Sequence, residues 1–89
     1  MKVKVIGIER REYTKKDTGE VRNSSNIHIQ VVKPLENYKG CHSEGNKVME
    51  IWTRLDTSIV YVGGVFDFEG EYRGAGRDRY WRLDGIEQI

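Results

Sequence analysis

Eighty-nine residues make one domain with one modest core, because a chain of this size buries roughly two thirds of the surface its unfolded form exposes. That leaves little room for a deep catalytic cleft. With 37% hydrophobic and 33% charged residues, ten glycines and one proline, the composition excludes a disordered or collagen-like chain and fits a soluble domain with many tight turns; the net charge of +1 selects no partner by itself.

The periodicity is two almost everywhere. A first strand is predicted from Lys2 to Tyr13. Val3 and Val5 share a face, then the apolar positions shift to Ile6 and Ile8, and Gly7 at the phase change predicts a bulge. Thr14–Gly19 reads as a hairpin turn, with Gly19 able to take a positive φ. The second strand spans Glu20 to Val32, with Ile27, Ile29 and Val31 on one face and Asn26, His28 and Gln30 on the other. Its start, Arg22–Asn26, is polar on both faces and is expected to extend beyond the core. Pro34 ends the strand, since it cannot donate to a ladder. Residues 33–46 form the longest irregular stretch, with a short helical turn expected around Leu35 and Tyr38.

The third strand, Lys47 to Arg54, alternates Met49 and Ile51 with Val48, Glu50 and Trp52. Thr57–Gly64 connects onward, with Ile59, Val60 and Tyr61 able to cap one end of the sheet. The fourth strand, Val65 to Arg73, places Phe66, Phe68 and Tyr72 on the core face. Asp67, Glu69 and Glu71 take the solvated face, a simpler reading of that stripe than an acid–base set. After a turn at Gly74–Asp78, the fifth strand, Arg79 to Glu87, sets Trp81 and Leu83 opposite Tyr80, Arg82 and Asp84. Five strands, a coiled first strand and a long second connector predict an all-β, five-stranded, partly open Greek-key barrel, the OB-fold, which hides the core and manages the sheet edges. An SH3-like barrel is the alternative; periodicity does not separate the two.

Enzyme signatures are missing: no phosphate-binding loop, no H-E-x-x-H, no C-x-x-C and no G-x-S-x-G. Cys41, His42 and His28 are too few and too poorly spaced for a zinc site, and adjacent Cys41 and His42 would point apart rather than pair as nucleophile and base. The reading is a non-enzyme with no catalytic residue, metal or cofactor. The lone cysteine excludes an internal disulfide and suits a reducing compartment. Met1–Val5 alternates as a strand rather than as a signal peptide. No apolar run approaches the ~18 residues of a membrane span. A cytoplasmic protein that makes no membrane contact is expected.

Charge is unevenly distributed. Residues 1–22 carry Lys2, Lys4, Arg10, Arg11, Lys15, Lys16 and Arg22 against Glu9, Glu12, Asp17 and Glu20, and residues 72–82 carry four arginines against Asp78, whereas residues 47–71 are acidic. Two basic hairpins can bind a polyanion although the total is nearly neutral. The segment Glu71–Arg82 holds four arginines and three aromatic residues around a Gly-Ala-Gly turn. Single-strand binders combine such positive charge with flat rings on which bases stack. Trp52 and Tyr80 lie opposite their strands' core sets and are the expected platforms, while Tyr72 and Trp81 fall in the core phase. Tyr13, Lys15, Lys16 and Arg22 on the first hairpin, with Arg73, Arg77, Arg79 and Arg82 on the last, complete the predicted nucleic-acid site. The polar start of the second strand would supply Asn and Ser donors for phosphate.

The order of a lysine-rich hairpin with Gly19, a polar Arg22-Asn23-Ser24-Ser25 start, a strand Lys47–Arg54 followed by Asp56, then Tyr61-Val62-Gly63-Gly64, Val65-Phe66-Asp67-Phe68, the Arg73–Asp78 turn and Tyr80-Trp81-Arg82-Leu83 resembles the gene V-type single-stranded DNA-binding proteins of filamentous phages and related mobile elements. The resemblance covers nearly the whole chain as pattern and contains no diagnostic motif. It implies an OB barrel, often a homodimer, that coats single-stranded DNA cooperatively and without strict sequence preference during DNA replication. Arg11, Lys15, Lys16 and Arg22 match the family's basic hairpin by position; Trp52, Arg73, Arg77 and Tyr80 match its later contacts. The chain departs from the pattern in having Arg22 near the place of an expected tyrosine, and in its longer 33–46 loop. RNA is a competing ligand, although no RNP-type aromatic motif is present. A protein-interaction module of phage or mobile-element origin, an adaptor or inhibitor anchored by Trp52 and Tyr80, is the competing function.

Overall fold

Alternation of β-branched and aromatic residues produces five strands in the computed structural model, which describes residues 1–89. They are β1 (Lys2–Thr14), β2 (Val21–Pro34), β3 (Asn46–Thr53), β4 (Val65–Arg73) and β5 (Tyr80–Gln88), with one short 3-10 turn at Gly76–Asp78. All pairings are antiparallel, in the order β3-β2-β1-β4-β5. The sheet is not closed into a barrel: β3 and β5 are its two edges, and they approach each other without pairing. No helix is long and apolar enough to cross a membrane.

The core forms on one side of the curled sheet. Val3 and Val5 of β1, Ile27 and Ile29 of β2, Ile51 of β3, Phe66 and Phe68 of β4, and Leu83 of β5 are buried there with Val60 from the connector. The shift in apolar phase along β1 is a bulge: register passes from Val5↔Ile29 to Gly7↔His28 and leaves Ile6 unpaired. The extra residue returns Ile8 to the core face, where it packs against the buried cluster. A second irregularity falls in β5, where Glu69↔Gly85 is followed by Gly70↔Leu83, and Asp84 is the additional residue.

Polar groups close one end of this core. Ser25 is buried, and its Oγ lies 3.0 Å from Thr57 Oγ1. Arg10 donates to the carbonyls of Thr57 (2.9 Å) and Val60 (2.8 Å) and to Thr57 Oγ1 (3.3 Å). The expectation that Arg22–Asn26 lies wholly beyond the core is therefore corrected at Ser25. Beyond it, Arg11–Thr14 and Val21–Ser24 continue as a two-stranded arm. The arm explains a radius of gyration of 15.4 Å, against about 12 Å for a globule of this length.

Two further expectations change. No helical turn forms near Leu35. Tyr38 and Cys41 instead exchange backbone hydrogen bonds (3.2 and 2.8 Å) across a two-residue turn in which Gly40 has φ +79°. Tyr72 has the core phase, facing Trp81 in register, but it is 45% exposed. The β4–β5 hairpin simply outruns the apolar cluster at that point. Trp81 is half-buried and packs against the core, as its phase predicts.

Candidate nucleic-acid interface

The strand pairing places the predicted rings. On β3, Ile51 faces the core and Trp52, one residue on, faces out beside Asn26 of β2. On β5, Tyr80 precedes the half-buried Trp81 and points away from it. Trp52 is 54% exposed and Tyr80 57%, so both side chains remain available for stacking. A groove of about 540 Å³ runs between the β3 edge and the β4–β5 hairpin, lined by Asn26, Met49, Glu50, Trp52, Tyr72, Arg79, Tyr80 and Trp81. Of the predicted residues, Trp52, Arg79 and Tyr80 are thus brought together.

The remaining predicted arginines have different surroundings. Arg73 pairs with Glu71 at 2.8 Å. Arg82 reaches the same Glu71 oxygen at 3.1 Å and holds Asp84 at 2.8 Å. The Asp84 hydrogen bond pushes the Arg82 pKa above the ordinary guanidinium value, opposed by partial desolvation and aided by the charges of Asp84 and Glu71. Both cations are paired with carboxylates, although their side chains remain more than two fifths exposed. Arg77 lies on the 3-10 turn, exposed and without an ion pair. Arg79 instead lies over the Tyr72 ring, 4.2 Å from its centroid.

Tyr13, Lys15, Lys16 and Arg22 sit on the β1–β2 arm and its turn, outside this groove. Tyr13 faces Arg22 across the ladder and is 61% exposed. Arg22 pairs with Glu20 at 3.2 Å, while its Nε is buried without a hydrogen-bond partner. Nearby on β1, Glu9 accepts hydrogen bonds from His28 (3.0 Å) and Arg11 (3.3 Å), which together hold its carboxyl below the usual range. Cys41 and His42 turn to different partners, Ser43 and Glu44 respectively.

Asn26 belongs to the polar strand start expected to donate to phosphate, and its pairing with Trp52 places it in the groove. Tyr72 in the groove and Arg54 beside it escape a reading of sequence alone. Tyr72 carries the right phase for the core, and only the length of the hairpin exposes it. Arg54 lies over the Trp52 ring, 5.4 Å from its centroid, and two-residue spacing from Trp52 is the signal that could have found it. The fold and site define an all-β chain with an open aromatic groove between two sheet edges. Comparison with family models, curated proteins and solved structures gives no match.

Proposed function

We propose that the protein is a non-enzymatic binder of single-stranded DNA that coats the strand largely without regard to sequence, as in phage or mobile-element DNA replication. The observation that carries this reading is the convergence of exposed Trp52 and Tyr80 with Arg79 in one groove. Trp52 and Tyr80 are two of six exposed aromatic side chains, and their meeting with a cation in one groove suits a ligand that stacks on them. Each stacked base contributes ~1–3 kcal/mol, and a nearby cation tracks the backbone. Arg77 on the last hairpin, and Lys15 and Lys16 at the turn of the β1–β2 arm, supply further positive charge without ion pairs.

The strand order supports the OB assignment. β4-β1-β2-β3 is the Greek-key arrangement, and β5 extends it so that the free edges of β3 and β5 face each other. Edges left open in this way also suit the homodimer that the resemblance implies, with a second copy beside β3 or β5. Exposed Ile6 and Val48 on the outer face favour a second reading, a protein-interaction module in which Trp52 and Tyr80 anchor a protein partner.

Titration with oligo-dT at two salt concentrations, read by tryptophan fluorescence, tests the first reading. Saturable quenching that weakens with salt is expected, and Trp52→Ala should weaken binding by roughly one stacked base while Trp81 still reports folding. Absence of saturable binding at low salt overturns the proposal. Arg77→Glu with Arg79→Glu should abolish DNA retention if DNA is the ligand and leave it unchanged if a protein is. Competition between oligo-dT and oligo-U decides DNA against RNA.

A further inference from the structure

We infer that a second groove, beside Arg54, is a phosphate subsite that receives the same single strand after it crosses Trp52; the inference rests on the single-strand reading above. β3 ends at Thr53, opposite Ser25, while β2 continues along β1 through Ser24↔Arg11 and Asn23↔Glu12. Val21–Ser24 therefore has no strand on its β3 side. Against this free edge lies a groove of about 490 Å³, lined by Arg11, Asn23 and Ser24 of the arm and by Arg54, Asp56 and Ser58 of the connector.

Its chemistry differs from that of the aromatic groove. Leu55 is the one apolar residue in its lining, and no ring is present, so it offers nothing for a base to stack on. Guanidinium, hydroxyl, side-chain amide and free main-chain groups are the set that contacts phosphate and sugar. Three arginines line it against the carboxylates of Glu12 and Asp56. Arg10 is committed to the Thr57 and Val60 carbonyls, and Arg11 is shared with Glu9. Asp56 is occupied by the Ser58 backbone N–H at 2.9 Å. Arg54 makes no ion pair and is the open cation of the groove.

Arg54 also connects the two grooves. Its guanidinium lies over Trp52, which lines the first, while its side chain lines the second. A strand whose base stacks on Trp52 meets Arg54 with its next backbone unit and then runs along Ser24 and Asn23 toward the arm. This path joins the last hairpin to the β1–β2 arm, two basic regions that the first groove alone does not connect.

The test uses two labelled oligo-dT lengths, roughly four and about twelve nucleotides, one at the lower end and one well inside the range of single-strand binders' site sizes, titrated over a range of salt. Arg54→Gln should weaken the longer oligonucleotide about tenfold, the size of one charge-assisted hydrogen bond, and flatten its log–log salt slope by about 0.7. It should weaken the shorter one clearly less, because four nucleotides can occupy the aromatic groove without running on into the second. Arg11→Gln, which touches no ring, should show the same length dependence more weakly, and a thermal melt confirms that each variant is folded. Equal loss at both lengths with Arg54→Gln would mean that Arg54 acts only by positioning Trp52, and overturns the subsite. So does binding that Arg79→Gln impairs but neither Arg54→Gln nor Arg11→Gln changes. Failure of the wild-type chain to bind either length overturns the single-strand reading itself.

Discussion

The Arg79 guanidinium carbon lies 4.2 Å from the centroid of the Tyr72 ring, and this contact fixes the one predicted arginine that lines the aromatic groove. A long cationic side chain in solvent samples many rotamers, and ordering it on a ligand costs affinity. The ring holds Arg79 in place before any ligand arrives, at the modest strength of an exposed cation–π pair, ~0.5–1 kcal/mol.

Tyr72→Leu should therefore weaken oligo-dT binding by roughly two- to fivefold, with little effect on the melting temperature because Tyr72 lies outside the buried cluster and is 45% exposed. Combining it with Arg79→Gln should cost less than the sum of the two single losses. Additive losses in a double-mutant cycle would show that the ring contacts ligand directly and does not act through Arg79.

Gly70 is needed for packing. A Cβ built there would sit 2.1 Å from the Arg82 carbonyl oxygen and 2.6 Å from the Trp81 ring, closer than atoms can approach. Gly70→Ala must displace the Trp81 ring and part the β4–β5 ladder next to the Asp84 irregularity. Overpacking of this kind costs about 1–3 kcal/mol, and each kcal/mol lowers the melting temperature of a domain this size by about 4–8 °C. Calorimetry checks the shift. Gly85→Ala, where the nearest atom is 3.7 Å away, should be well tolerated by comparison.

Acid should remove a contribution from Glu9. Its folded pKa is lowered from 4.5, first by the hydrogen bond from His28 and then by the hydrogen bond and charge of Arg11. A depressed carboxyl stabilises the fold fully above its unfolded pKa, and that stabilisation is lost as pH falls through the lower folded value. Urea melts of the wild type should lose stability below about pH 4.5, and Glu9→Gln should show a shallower decline over the same window. An unchanged slope in the variant would place the acid sensitivity elsewhere.

Local signals made much of the architecture legible. Phe66 and Phe68 alternate cleanly with acidic residues, and β4 forms over the residues that this pattern predicts. The shift of apolar phase around Gly7 marked the β1 bulge, because one extra residue inverts every later side chain. What remained hidden depended on distant partners. Ser25 is buried because Thr57, 32 residues away, accepts or donates its hydrogen bond. Lys39 and Gly40 make a tight turn where spacing suggested a helical one. At the site, parity correctly exposed Trp52 and Tyr80, but it counted every arginine of the last hairpin as open charge. The Arg82–Asp84 and Arg73–Glu71 pairs join residues two apart on one strand, a spacing that the sequence does display.

Those ion pairs lead to the last expectation. Glu71 engages both Arg73 and Arg82 through one carboxylate oxygen, so it restrains two cations beside the groove. Exposed pairs like these are weak, with a median of about 0–1 kcal/mol, and Glu71→Gln should leave the melting temperature nearly unchanged. It should release Arg73 fully, while Arg82 stays with Asp84 at 2.8 Å. One cation becomes free to meet phosphate. Oligo-dT affinity at low salt should rise about tenfold, and the salt dependence should steepen by about 0.7 in log–log slope for one added contact. Glu71→Gln with Arg73→Gln should return both quantities to the wild-type values. If Glu71→Gln alone leaves affinity and slope unchanged, Arg73 lies off the path of the strand, and the working charge of this hairpin reduces to Arg77 and Arg79.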